Sequence, residues 1–182
     1  MDRDLGELKL LNVRFKWTNE ATEFTPWLAE EDNLSRLGLA LGLELELENT
    51  EVSVGPYSAD ILAKDIGNGK YVIIENQLEK TDHDHLGKAI TYASFLDATA
   101  IVWIASDFTD EHKKALDWLN DHTSEELSFY GVKLELWQIE NRDLRFVSMW
   151  LSMTNRHVSQ INSLPKWTKP KSSSMNYELN HS

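Results

Sequence analysis

The sequence predicts an α/β fold in which a mixed central β-sheet is flanked by helices. Three observations predict it. Leu43 to Val54 opens with a strict alternation of Leu and Glu, the period of a half-solvated strand. Two strand-like runs, Tyr57 to Ile66 and Lys70 to Leu78, flank the turn Gly67-Asn68-Gly69 and read as an antiparallel hairpin. Beyond the hairpin, helical and strand periods alternate, as they do where helices pack on a sheet.

Each element follows from its own pattern. Pro26 stands early in a run where Trp27, Leu28, Leu34, Leu37 and Leu41 recur at helical spacing before Gly42, so a helix is expected from Pro26 to Leu41. Gly55-Pro56 separates the alternating strand from the hairpin. From Asp82 the helical period returns, with Leu86, Ile90, Tyr92, Ala93 and Leu96 on one face and Thr81 or Asp82 as N-cap. Thr99 to Ala105 is a continuous apolar strand of the kind buried on both faces. Asp107 to Thr123 is amphipathic, with Ala115, Leu116, Trp118 and Leu119 expected inward. Two more strands are expected at 131–140 and 144–153.

The chain of 182 residues suits one domain, placed at residues 1–152. Residues 153–182 are basic and rich in Ser and Pro, without apolar period, and are expected to be loosely ordered. The net charge of -12 is uneven: residues 141–182 hold six Lys or Arg against two acids, a net +4, which leaves -16 on residues 1–140. That acidic body argues against indiscriminate coating of nucleic acid and is compatible with either a solvated surface or carboxylates awaiting a cation. No apolar run approaches the roughly 20 residues that span a bilayer, and the acidic start is unlike a signal peptide, so a cytoplasmic protein without membrane partners is expected. The absence of cysteine excludes disulfides, thiolate zinc sites and Cys nucleophiles.

Two acids interrupt apolar strands: Asp60 in Ser58-Ala-Asp-Ile-Leu62, and Glu75 directly after Val72-Ile-Ile74. An unpaired buried carboxylate costs several kcal/mol, so two of them on adjacent strands imply a compensating cation. A hard divalent ion, Mg2+ or Mn2+, suits Asp60, Glu75 and the main-chain carbonyl of Asn76 as ligands. Strand alternation puts Gln77 on the Glu75 face. Structural ion pairs with Lys64, Lys70 or Arg36 are the alternative reading of the same acids.

Asp60 and, after fourteen intervening residues, Glu75-Asn76-Gln77, carried on a hairpin that leads into a helix, resemble the PD-(D/E)XK restriction-endonuclease-like nuclease superfamily. Gln77 stands where that signature has lysine. The wider phrases FTPWLAEEDNL, VGPYSADILAKD, IIENQLEKTDHDHLGKAITYA and ALDWLN resemble a bacterial branch of the superfamily, and the similarity runs from about Phe15 to Glu140. The resemblance implies an αβββαβ core and a Mg2+-dependent attack of water on DNA, in restriction, defence or repair, with a homodimer to cut two strands. It implies that Asp60 and Glu75 hold the metal and that Gln77 orients the water in place of the lysine. Lys88 and Tyr92 are similar to the Gln-x-x-x-Tyr element of exonuclease-type members; one helical turn apart, they share a face that either looks to the hairpin or is ordinary surface and core. The superfamily's additional helical Glu is expected at Glu31, with Glu30 or Asp32 as alternatives.

In Asp82-His-Asp-His85, two histidines two residues apart diverge on a helix, which disfavours zinc; Asp82 reads as a cap, and His85 as a group aimed at phosphate or water. A nucleic-acid-binding or assembly module of the same fold, without catalysis, is the rival reading. DNA is placed ahead of RNA as the partner.

Overall fold

The computed structural model describes residues 8–138 and the main chain of 139 and 145–152. The expected 153–182 tail therefore lies outside the described residues. Seven strands form one mixed sheet. In chain order the elements are β1 (Leu8–Leu11), α1 (Thr25–Ala29), α2 (Glu31–Leu41), β2 (Leu45–Val54), β3 (Tyr57–Asp65), β4 (Lys70–Lys80), α3 (His83–Leu96), β5 (Ala98–Asp107), α4 (Asp110–His122), β6 (Ser128–Ile139) and β7 (Arg145–Ser152). The sheet order is β1-β6-β5-β4-β3-β2, with β7 also pairing β6. β2, β3 and β4 are antiparallel, whereas β4, β5 and β6 run parallel through the α3 and α4 crossovers. β7 takes one edge of β6, and β5 and the short β1 share the other. Among the described residues no helix is long and apolar enough to cross a membrane.

Alternation along the central strands builds two cores. Val72, Ile74 and Leu78 of β4 and Ala100, Val102 and Ile104 of β5 pack under α1 and α2 with Leu28, Leu34 and Leu37. Ile73 of β4 and Ile101, Trp103 and Ala105 of β5 pack under α3 and α4 with Ala89, Tyr92 and Leu116. A strand covered on both faces reads as a continuous apolar run, which is why β5 was visible in the sequence.

Two expectations are revised and two elements are added. The single helix expected over Pro26 to Leu41 is two: Glu30 adopts an extended ψ of 137° and separates α1 from α2. The Asn33 amide donates to the Trp27 carbonyl at 2.8 Å, taking the acceptor that an unbroken helix would have given to the main chain four residues on. Before α1, Glu20–Phe24 forms one π-helical turn, capped by the Asn19 side chain. Trp118 is 58% exposed and stacks on His122, while His112, Leu116 and Asn120 face inward along α4. β1 was not expected; its two-sided exposure leaves no burial period to read.

Candidate metal and nucleic-acid site

The hairpin positions the two acids by ceasing to pair. β3 and β4 keep a regular register from Asp65↔Lys70 to Ile61↔Ile74, and Asp60 and Glu75 follow as the next residues on each strand. There the Asp60 carboxylate replaces the ladder: its Oδ2 accepts from the Asn76 main-chain N–H at 2.7 Å. Two residues on, Oε2 of Glu20 accepts from the Leu78 N–H at 2.5 Å. Successive β4 donors that would have met β3 thus end on side-chain carboxylates, which draws both acids against the strand edge.

Glu75 is 4% exposed and lies on the α3 side of the sheet, and its Oε2 has no hydrogen-bond partner. Burial, reinforced by the neighbouring Asp60, pushes its carboxyl up to about 9. Burial likewise raises Asp60 to about 6, against the Asn76 N–H, which acts in the opposite direction. Glu20 and Glu51 add negative potential at Asp60, and His85 offsets it. Lys88 offsets the charge at Glu75. Burial and then Glu75 push the Tyr92 hydroxyl up to about 12. Among the described residues neither Asp60 nor Glu75 has an ion-pair partner, so the pairing with Lys64, Lys70 or Arg36 is not formed.

The charges of His85 and Lys88 thus act on Asp60 and Glu75 respectively, and that of Glu75 on Tyr92. His85 and Lys88 are both engaged at the start of α3. His85 Nδ1 lies 2.8 Å from Asp82 Oδ1, and Lys88 Nζ pairs with Asp84 at 2.7 Å, a bond that raises the lysine pKa further. Tyr92 is buried against the sheet.

Two expected residues, Glu31 and Gln77, are placed differently. Glu31 opens α2 and is exposed, as are Glu30 and Asp32. Glu20 is the additional acid whose charge acts on the pair; it was missed because it belongs to a π-helical turn with no apolar stripe to mark it. Gln77 is 3% exposed and its polar atoms are occupied. Nε2 donates to the Lys80 carbonyl at 2.9 Å and to Asp82 at 2.7 Å, and Oε1 accepts from the Trp103 indole at 3.3 Å. An amide with both N–H groups committed cannot also donate to an attacking water, so Gln77 ties β4 to β5 and to the cap of α3. The Asn76 side chain turns to the opposite face, where Nδ2 donates to Thr25 at 3.0 Å and Oδ1 is left without a partner. His83 and His85 point to different partners, His112 and Asp82.

Among the described residues no group of three or more His, Cys, Asp or Glu is gathered around one point. The donor set is two carboxyls, one with an orphaned buried oxygen. It fits an ion that accepts one or two carboxylates and completes its shell with water, as Mg2+ does.

Searches found no matching protein-family profile and no matching curated protein. Among solved structures, a repair endonuclease from Pyrococcus abyssi aligns with a TM-score of 0.39 and 20% identity over 56% of this chain and 44% of its own. The EndoMS complex with double-stranded DNA aligns with a TM-score of 0.44 and 16% identity over 71% of this chain and 48% of its own. The chain thus spans less than half the length of either structure.

Proposed function

We propose that the chain is a Mg2+- or Mn2+-dependent nuclease that hydrolyses DNA phosphodiester bonds, of use in restriction, defence or repair. One observation carries the reading: two adjacent carboxyls, both raised by burial and Glu75 also by Asp60, with an orphaned oxygen on Glu75 and no ion pair to either acid among the described residues. Such a pair is costly without a divalent ion and ionises with one. Asp60, Glu75 and the Asn76 main-chain carbonyl would hold it. A bound divalent ion supplies a water of lowered pKa and positive charge for the phosphoryl oxygens. The protein's own part is orientation. Lys88 leaves Asp84 to meet the scissile phosphate, His85 accepts or relays the water's proton at Nε2, and Tyr92 packs the helix that carries both.

A second reading is a nucleic-acid-binding or assembly module of the same fold, and it too has an observation in its favour. Position 77, two residues after Glu75, holds no lysine, and the Gln77 amide in that place is committed to Lys80, Asp82 and Trp103.

The deciding experiment incubates plasmid, linear duplex, single-stranded DNA and RNA with the protein and Mg2+ or Mn2+, beside Asp60→Ala/Glu75→Ala. Cleavage by the wild type alone supports the nuclease. Equal products from both proteins overturn it, and retention of DNA without cleavage favours the binding module. Sedimentation of the same samples tests the homodimer.

A further inference from the structure

His112 is a buried titratable group that the proposed chemistry does not use. It is 4% exposed on the first turn of α4, its ring edge-on to Trp103 at 5.2 Å and to His83 at 4.8 Å. Nδ1 lies 2.8 Å from Thr81 Oγ1 and 3.0 Å from Thr109 Oγ1, and Nε2 lies 2.9 Å from Nδ1 of His83. Thr81 Oγ1 already accepts from the Thr109 main-chain N–H, and Thr109 Oγ1 from the His112 N–H.

One assignment of donors and acceptors is consistent with these bonds. Burial and the neighbouring His83 hold His112 below the ordinary histidine pKa, so at neutral pH the ring has a single N–H. The hydroxyl proton of Thr81 is free to point at Nδ1, which leaves the N–H on Nε2, donated to His83. His83 then accepts on Nδ1 and presents its own N–H to water. The chain runs from the β4–α3 link, through the start of α4, to the first residue of α3.

The consequence lies at α3. Its first turn is gripped from β4 by Gln77, which bonds the capping Asp82, and from α4 by His112, which bonds His83. The next residues on the same helix are His85 and Lys88, whose charges act on Asp60 and Glu75. We propose that His112 is a positioning residue: by holding His83, it fixes the first turn of α3 and with it the placement of His85 and Lys88 over the acid pair. This rests on the nuclease reading for its consequence in catalysis, but not for the mechanical role.

Two isosteres separate the two edges of the ring. Glutamine reaches the Nε2 position and can bond His83; asparagine reaches the Nδ1 position and can bond Thr81 only. His83→Ala removes the same bond from the exposed side, where folding is not at stake. Amide hydrogen exchange of the full-length, metal-free protein is followed at residues 84–88 in the wild type and in His112→Gln, His112→Asn and His83→Ala. His112→Asn and His83→Ala are expected to exchange about tenfold faster there, the net worth of one hydrogen bond, while His112→Gln stays near wild type and β4 and β5 keep their protection. With plasmid DNA and Mg2+, kcat is expected to fall in the same two variants with KM unchanged. Wild-type exchange in His83→Ala, or equal loosening in both His112 isosteres, overturns the latch. Faster exchange without a fall in kcat overturns its role in positioning. A wild type that cleaves nothing refutes the nuclease reading instead, and the exchange pattern still decides the latch.

Discussion

Replacing Glu75 by Gln removes an ionisable group while keeping its shape, and the structure fixes what this does to metal-free stability. The folded protein holds the Glu75 proton up to about 9, whereas the unfolded chain releases it near 4.5. A carboxyl whose pKa is raised on folding contributes its full stability below the unfolded value and loses it as pH rises towards the folded value. Within that window each pH unit removes about 1.4 kcal/mol. Between pH 6 and 8, Glu75 alone therefore lowers stability by about 2 to 3 kcal/mol. Asp60 contributes little there, because its folded value of about 6 confines its loss to more acid pH. Urea denaturation in EDTA at pH 6, 7 and 8 measures the slope. The wild type is expected to weaken across the range, Glu75→Gln to stay level, and millimolar Mg2+ to flatten the wild type by binding the ionised pair. If Glu75→Gln keeps the wild-type slope, the buried carboxyl is not its source and the cation argument fails with it.

Other outcomes follow from single contacts. Glu20→Gln keeps an acceptor for the Leu78 N–H but removes a charge that adds to the effect of burial on both acids, so the Asp60 titration followed by NMR should shift to lower pH; no shift would place Glu20 outside the site. Gln77→Ala strands the Trp103 indole and one bond to the α3 cap, and is expected to lose about 2 to 3 kcal/mol in urea denaturation. Asn120 bonds both the N–H and the carbonyl of Phe129 at 2.9 Å, so Asn120→Ala should cost about the same, read by thermal unfolding. Gly38→Ala would put a Cβ 2.7 Å from the Leu43 carbonyl, main chain that cannot swing aside, and should lower stability by about 1 to 3 kcal/mol.

The sequence by itself determined what periodicity encodes. Alternating Leu and Glu marked β2, an unbroken apolar run marked β5, and two acids set into apolar strands marked the candidate site, because burial repeats every two or every 3.6 residues and a charge in that rhythm stands out. The helix that carries Lys88 and Tyr92 was legible for the same reason. Tertiary structure alone decided which polar groups meet. Glu20 reaches Leu78 across 58 residues, the Trp103 indole reaches Gln77 across 26, and His112 reaches His83 across 29. No local pattern records such partners, since a hydrogen bond depends on where two distant main-chain segments come to lie and not on the period of either. Gln77 shows the difference most directly: its position beside Glu75 was set by strand alternation, and its occupation as a tie between β4, β5 and α3 by the packing of the indole and the helix cap around it.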